Sequence, residues 1–190
     1  AQGMAPDVLV KSITNEVIGV IKQDKEIRAG NQKKINDLVD AKVLPHFNFS
    51  RMTALAVGRN WPKANAQQQT ALTSEFRNLL VRTYSNALST YKNQVIEFRP
   101  MRAAAADTEV TVRTQIKQPG TEPISIDYSM EQTPAGWKVY DVVVGGVSLV
   151  TNYRETFNAE IREGGVDGLI KSLVSKNRSL ETAQAGASTK

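Results

Sequence analysis

Two carboxylates that lie next to tyrosines are the residues of this sequence best suited to acid–base chemistry. Asp127 precedes Tyr128 and Asp141 follows Tyr140, each in a run of alternating apolar residues that predicts a β-strand. A carboxylate buried between a sheet and helices has a raised pKa and can act as a general base. We interpret Asp127 more simply as a solvent-facing strand residue, because acidic side chains usually stay exposed. Asp141 interrupts an apolar run, which favours a structural hydrogen bond over catalysis.

Histidine and cysteine chemistry is narrowly limited in this chain. The sequence contains no cysteine, which excludes disulfides, thiolate metal sites and a cysteine nucleophile, and one histidine, His46. A single histidine excludes a His–His zinc site and most serine-type triads. His46 follows Pro45 at a predicted helix boundary, where a capping or packing role is more common than metal binding. The sequence therefore predicts neither a metal nor a cofactor.

The glycine pairs and basic residues do not form the patterns of phosphate or nucleic-acid sites. Gly145-Gly146 predicts a turn, and Gly164-Gly165 lacks the flanking strand of a dinucleotide-binding loop. Lys33-Lys34 is the only basic pair, and the aromatic residues lie mainly on apolar stripes, so we expect no nucleic-acid partner. The net charge of +5 and the pI of about 9.5 favour encounter with anionic surfaces, or serve only solubility.

The elements that must position these residues begin with a helical half. Apolar residues at helical spacing predict a helix over residues 6–28 and a second over residues 31–45. Ser50 is the predicted N-cap of a short third helix. Asn65 opens a long fourth helix, whose apolar stripe continues over residues 72–87.

The apolar spacing changes to a period of two after Lys92, which indicates strands. Four alternating runs predict an antiparallel meander over residues 96–98, 110–116, 124–130 and 137–144. Helices return from Leu149 and are broken at Gly164-Gly165. The predicted fold class is therefore α+β, with helices packed on a curved four-stranded antiparallel sheet.

Length and composition predict one globular domain. The hydrophobic content is 41% and the charged content 23%, and no apolar run approaches the roughly 20 residues of a membrane-spanning helix. We expect a single domain over residues 1–178 and a flexible C-terminal tail over residues 179–190, which are rich in Ala, Thr, Ser and Gly.

Two segments carry a specific combination of residues. The first contains His46-Phe47-Asn48-Phe49, Met52-Thr53, Ala56-Val57-Gly58, Trp61, Gln69, Phe76 and Leu79-Leu80. The second contains Trp137-Lys138-Val139-Tyr140-Asp141-Val142, Gly146-Val147-Ser148-Leu149-Val150, Asn152-Tyr153-Arg154, Phe157, Gly164 and Gly168-Leu169-Ile170. In order and spacing, from about residue 7 to residue 178, the chain resembles the MlaC family of periplasmic phospholipid-binding proteins, also called the toluene-tolerance auxiliary family. One departure is Asn48, where the family often carries Asp.

The resemblance implies a carrier rather than an enzyme. Members of this family enclose phospholipid acyl chains in an apolar cavity between helices and a twisted sheet. They shuttle lipid between an outer-membrane lipoprotein complex and an inner-membrane ABC transporter complex with its substrate-binding subunit, which maintains outer-membrane lipid asymmetry. We therefore expect a soluble periplasmic protein whose signal peptide has been removed, with phospholipid as cargo. One alternative is a small cone-shaped α+β enzyme that uses Asp141 or Asp127 on a hydrophobic substrate. A second is a protein-interaction module whose apolar residues form an ordinary packed core.

The predicted lipid-binding residues are apolar or aromatic and lie in the two family-like segments and the following helices. They are Phe47, Phe49, Met52, Leu55, Phe76, Leu80, Tyr140, Val142, Val147, Leu149, Tyr153, Phe157, Leu169 and Leu173. Arg51 and Arg154 are predicted to lie near the lipid phosphate, although either could equally belong to a surface ion pair.

Overall fold

The computed structural model describes residues 3–101 and 106–188. Its α-helices are α1 (Pro6–Gln23), α2 (Lys25–Arg28), α3 (Gln32–Lys42), α4 (Phe49–Val57), α5 (Ala66–Tyr84) and α6 (Arg154–Ser188). Short 3₁₀ turns occupy Leu44–His46, Gly58–Lys63, Ser85–Thr90 and Thr151–Tyr153. The strands are β1 (Val95–Phe98), β2 (Glu109–Lys117), β3 (Ile124–Thr133), β4 (Gly136–Val144) and β5 (Val147–Ser148). The α+β class is confirmed.

Short polar side chains determine where α2 and α3 begin. The predicted helix over residues 6–28 is interrupted at Asp24, whose carboxylate accepts hydrogen bonds from the backbone amides of Glu26 and Ile27 and so starts α2. Asn31 caps α3 as predicted, through the amide of Lys34.

The cap predicted for α4 is wrong by two residues. Asn48, not Ser50, is the N-cap, because the Asn48 side chain accepts a hydrogen bond from the amide of Arg51 at 3.1 Å. Ser50 lies inside the first turn. The Asn65 cap of α5 is confirmed, and it forms a reciprocal capping box with Gln68.

The sheet is an antiparallel meander in the order β1-β2-β3-β4-β5. The predicted number of four strands is corrected by the two-residue strand β5. Gly145 and Gly146 both have positive φ, at 58° and 87°, which permits a two-residue hairpin turn. After the turn the chain runs antiparallel to β4, so that Val147 pairs with Val144. The sequence predicted this turn but not the short strand that follows it.

Two apolar clusters form most of the interior. The sheet cluster joins α1 to one face of β2, β3 and β4, and its buried residues are Leu9, Val10, Val112, Met130, Val139 and Val142. The helical cluster joins α4, α5 and α6, and its buried residues are Met52, Ala56, Val57, Ala64, Leu72, Phe76, Leu79, Leu80, Val150, Phe157, Leu169 and Leu173. A third, smaller cluster packs α1 against α2 and α3.

The long helix α6 is kinked at Gly165. This residue has φ 71° and ψ −173°, a backbone region that is essentially restricted to glycine, so the predicted break at Gly164-Gly165 is confirmed. The helix continues to Ser188, through most of the segment for which a flexible tail was predicted. Leu180 packs against the helical cluster, and the Gln184 side chain donates a hydrogen bond to the carbonyl of Arg82. The flexibility of residues 179–190 stays a prediction. None of the helices in the described residues combines the length and apolarity of a membrane span.

Candidate functional site

The apolar face of the sheet follows from strand register. Val112, Tyr128 and Val142 lie opposite one another on β2, β3 and β4, and Val110, Met130 and Val139 form the next row. Directly paired residues share a face of a sheet, so the two rows make one continuous apolar surface against which α1 packs. Tyr128 and Val110 remain partly exposed, which shows that α1 covers this surface incompletely.

A β-bulge in β4 connects the two clusters. Ser129 pairs with Asp141 and Met130 pairs with Val139, so Tyr140 is the extra residue. The bulge allows Val139 and Val142, three residues apart, to enter the same sheet cluster. Tyr140, between them, packs against the helical cluster instead.

We call the place where the clusters meet the junction, formed by Phe47, Tyr140, Val142, Leu149 and Val150. Phe47 packs against both clusters. Leu149 packs on the sheet cluster and the adjacent Val150 is fully buried in the helical cluster, at 0% exposure. The junction therefore joins the two apolar regions.

Asp141 forms hydrogen bonds within the junction. Its carboxylate accepts hydrogen bonds from the Ser148 hydroxyl at 2.6 Å, from the Val142 amide at 2.8 Å and, at 3.4 Å, from the Val150 amide. These contacts bind β4 to the segment that leads into the helical cluster. The hydrogen bonding predicted for Asp141 is confirmed, and its lack of a catalytic role stays a prediction. Asp127 lies on the opposite face from Tyr128 and is partly exposed, as predicted.

Most of the predicted lipid-binding residues lie in or against the helical cluster. Eleven belong there: Phe47, Phe49, Met52, Leu55, Phe76, Leu80, Tyr140, Tyr153, Phe157, Leu169 and Leu173. Val142 and Leu149 belong to the sheet cluster, which Phe47 also contacts. Val147 is in neither cluster and is 54% exposed. The structure thus brings thirteen of the fourteen into two adjoining clusters, and their contact with lipid stays a prediction.

The interior of the helical cluster is closely packed. The ring centroids of Phe76, Tyr153 and Phe157 lie 5.4 to 5.6 Å apart, with Phe76 edge-on to the other two. Burial is the main cause that raises the pKa of the Tyr153 hydroxyl well above its usual range. Phe76 is fully buried, at 0% exposure, so it behaves as a core residue in this arrangement.

Neither predicted headgroup arginine is free. The Arg51 guanidinium forms ion pairs with Glu109 and Glu131, and the Arg154 guanidinium donates two hydrogen bonds to the carbonyl of Leu55, at 3.0 and 2.7 Å. Arg154 thereby satisfies a carbonyl near the end of α4. Their contact with a lipid phosphate stays a prediction.

His46 is partly buried in the turn that precedes Phe47. Burial lowers the pKa of the imidazole from its usual value, and the nearby positive charge of Lys138 lowers this pKa further. Both causes favour the neutral form of the ring. The capping or packing role of His46 stays a prediction.

Open surface grooves lie along α6 in the described part of the chain. One, of about 800 Å³, is lined by Ile170, Lys171, Val174, Ser175, Arg178, Ser179, Thr182 and Ala183. Another, of about 370 Å³, is lined by Glu155, Thr156, Ala159, Glu160 and Glu163. Neither contains a predicted lipid-binding residue. The deep apolar cavity that the family resemblance implies therefore stays an expectation.

The predicted lipid-binding set leaves out most of the sheet cluster. Its apolar face includes Val112, Tyr128 and Met130, and α1 contributes Leu9 and Val10. Burial raises the pKa of the Tyr128 hydroxyl. Strict alternation in β2 and β3 was the available signal, because it places these residues on one face.

Comparisons with known proteins agree with this architecture. The sequence model of the MlaC protein family matches residues 11–175. The chain belongs to the MlaC family. It is 23% identical over 172 residues to the intermembrane phospholipid transport system binding protein MlaC of Haemophilus influenzae, covering 89% of this chain and 80% of that protein. It is 25% identical over 168 residues to the toluene tolerance protein ttg2D of Pseudomonas putida, covering 85% and 75%.

A solved structure of this family is also similar. The phospholipid-binding protein of Ralstonia solanacearum, solved in complex with a phospholipid, is 40% identical to this chain, with a TM-score of 0.87. The match covers 94% of this chain and 99% of that one. The family resemblance drawn from the two sequence segments is therefore confirmed.

Proposed function

We propose that this protein is a phospholipid carrier that buries acyl chains at the junction, between the sheet cluster and the helical cluster. The observation that carries the proposal is the phospholipid held by the Ralstonia solanacearum relative, which matches 94% of this chain at a TM-score of 0.87. The incompletely covered apolar face of the sheet supports this location, because acyl chains require a continuous apolar surface.

The free energy of acyl-chain transfer fits a carrier. Burial of each methylene group is worth about 0.8 kcal/mol, so two chains amount to roughly 20 kcal/mol or more. Unassisted passage through water is therefore prohibitively slow. A bilayer already provides the same burial, so a useful carrier must match the bilayer and still release its cargo.

Polar groups at the junction favour recognition of the acyl chains over the headgroup. Asp141 is satisfied by its own hydrogen bonds, and Arg51 and Arg154 are held by other parts of the protein. A headgroup would have to break these contacts to bind any of the three side chains. We therefore expect weak selectivity among phospholipid headgroups, and no enzymatic turnover.

The family points to the place of this carrier in the cell. We infer that it acts in the periplasm, where it moves phospholipid between an outer-membrane lipoprotein complex and an inner-membrane ABC transporter complex. Its net charge of +5 assists encounter with anionic membranes or acidic partner surfaces.

Native mass spectrometry of the purified protein tests lipid binding, followed by organic extraction and identification of the lipid. We expect a discrete mass increment that resolves into phospholipid. A protein mass that stays unchanged after incubation with vesicles of phosphatidylethanolamine and phosphatidylglycerol would refute the carrier function.

A pair of exposed valines tests where the lipid lies. Val147 on β5 is 54% exposed and Val95 on β1 is 63% exposed, so both tolerate a charged side chain without burying it. We expect Val147→Glu to lose bound lipid, because Val147 lies two residues from Leu149 of the junction, and Val95→Glu at the far edge to keep it. Equal lipid content in the two folded variants would place the site elsewhere.

A further inference from the structure

One arginine of α4 joins the helical cluster to three strands. The Arg51 guanidinium forms ion pairs with Glu109 of β2, at 2.8 Å, and with Glu131 of β3. The same group lies over the ring of Tyr140 on β4, with its central carbon 3.8 Å from the ring centroid. Glu109 and Glu131 are direct partners in the strand register, which places both carboxylates within reach of one guanidinium.

Asn48 reinforces this contact from the N-cap of α4. Its side-chain oxygen accepts the hydrogen bond from the Arg51 amide, and its side-chain amide donates to Glu131 at 2.6 Å. Its backbone amide donates to the carbonyl of Val139 at 2.8 Å. Glu131 therefore receives donors from two residues of one helix end, and its side chain is only 17% exposed.

The charge balance does not suit a phosphate site. Arg51 faces two carboxylates, so a lipid phosphate at this position would have to displace at least one of them. Charge-assisted hydrogen bonds of this kind are stronger than neutral ones and fix geometry. These contacts are better suited to holding the start of α4 against the sheet than to binding a headgroup.

The contacts of Asn48 and Arg51 with the sheet lie next to the junction. Phe47, which packs on both clusters, directly precedes Asn48 and forms a β-bridge with Val139. Acyl chains that pass between the clusters at Phe47 require the start of α4 to move away from the sheet. That movement has to break the contacts of Asn48 and Arg51.

We propose that Asn48, Arg51 and Glu131 form a clamp that positions the helical cluster against the sheet and limits how fast lipid enters and leaves the junction. This inference rests on the proposed carrier function. It makes Arg51 a positioning residue whose removal accelerates lipid exchange without changing the amount of lipid held.

Transfer of fluorescent phosphatidylethanolamine between vesicles tests the clamp. Donor and acceptor vesicles consist of phosphatidylethanolamine and phosphatidylglycerol, and the rate is measured at a temperature at which every variant is folded. We expect Arg51→Met to transfer lipid about tenfold faster than the wild type, the change expected for the loss of charge-assisted hydrogen bonds. Arg51→Lys keeps the positive charge but not the bidentate geometry of the guanidinium, and it should transfer lipid at an intermediate rate.

Asn48→Asp separates the clamp from the helix cap. Aspartate caps a helix as well as asparagine does, but it cannot donate to Glu131 and would repel it. We expect this variant to exchange lipid faster than the wild type. Lys33→Met is the matched control, because it removes a cation from the exposed Lys33–Asp37 pair, whose side chains are 88% and 64% exposed. Its transfer rate should equal that of the wild type.

The outcomes distinguish the clamp from the carrier function. Wild-type transfer no faster than the protein-free rate would overturn the carrier function and the clamp together. Wild-type transfer combined with unchanged rates in folded Arg51→Met and Asn48→Asp would overturn the clamp alone. A melting temperature that falls without a change in transfer rate would mean that Arg51 has a purely structural role.

Discussion

Asp141 provides a direct test of whether the carboxylate in β4 is an anchor or a catalytic base. We consider the replacement of Asp141 by alanine. It leaves the Ser148 hydroxyl and the Val150 amide without the acceptor that they have at 2.6 and 3.4 Å, and it removes the 2.8 Å bond to the Val142 amide. Asp141→Asn preserves one acceptor oxygen and should have a smaller effect.

The magnitude follows from the number and quality of these bonds. Hydrogen bonds to charged groups contribute about 1.5–3 kcal/mol each, but the bond to Val150 is long and water can partly replace the others. We therefore expect Asp141→Ala to lower the free energy of unfolding by about 2–4 kcal/mol. For a chain of this length, a loss of about 3 kcal/mol corresponds to a fall in melting temperature of roughly 6–12 °C.

Urea unfolding followed by tryptophan fluorescence measures this loss and shows where it acts. Trp137 packs on the sheet cluster and Trp61 on the helical cluster, so the two indoles report on both sides of the junction. Asp127→Ala is the matched control, since Asp127 is a partly exposed strand carboxylate without a hydrogen bond or ion pair among the described residues. Its effect should stay within about 0.5 kcal/mol.

The outcome that refutes the anchor is specific. If Asp141→Ala lowered the free energy of unfolding no more than Asp127→Ala does, the contacts of Asp141 would not hold the junction. A hydrolytic or isomerase activity that disappears in Asp141→Asn, while stability is unchanged, would favour the enzyme alternative.

Three further predictions concern pH, backbone geometry and helix capping. Burial raises the pKa of the Tyr128 hydroxyl above 10.0, so on a rise in pH the unfolded chain loses the hydroxyl proton before the folded chain does. The free energy of unfolding should therefore fall as the pH rises above about 10. Tyr128→Phe should reduce that fall in melting curves recorded at alkaline pH. Gly165→Ala should lower the free energy of unfolding by about 1–3 kcal/mol, because Gly165 has a φ of 71°. Gly164→Ala, in ordinary helical geometry, should be neutral or stabilising in the same thermal melts. Equal effects of the two substitutions would refute the backbone argument. Asn65→Ala should cost about 0.5–2 kcal/mol through loss of the capping box with Gln68, and an unchanged unfolding midpoint in urea would contradict that role.

Local patterns in the sequence determined much of this fold. The antiparallel meander follows from alternating residues in β2, β3 and β4 and from the turns between them. The caps at Asn31 and Asn65 and the break at Gly165 follow from short polar side chains and from glycine, whose preferences act within a few residues. The cap of α4 was misplaced because Asn48 and Ser50 are both good N-cap residues, and only the backbone conformation distinguishes them.

The family, and with it the expectation of an apolar lipid site, was also available from the sequence, because two segments preserve a specific order and spacing of residues. The residues that surround such a site were harder to predict from the sequence. Periodicity identified the apolar stripes of the helices, but it could not separate a filled core around Phe76 from the surface of a binding site, since both need the same residue types.

Tertiary structure decided how the two apolar clusters meet and which contacts hold them together. The bulge at Tyr140, which places Val139 and Val142 on one face, depends on strand register rather than on local preference. Arg51 and Glu131 are 80 residues apart in sequence, and their contact exists only because α4 begins where β4 binds Asn48. The sequence alone determined most of the helices and strands and the family to which the chain belongs, but it missed the helix break at Asp24 and strand β5. The partners of Arg51 and Asp141 were decided by folding, because contacts between distant segments depend on the packing of the whole chain.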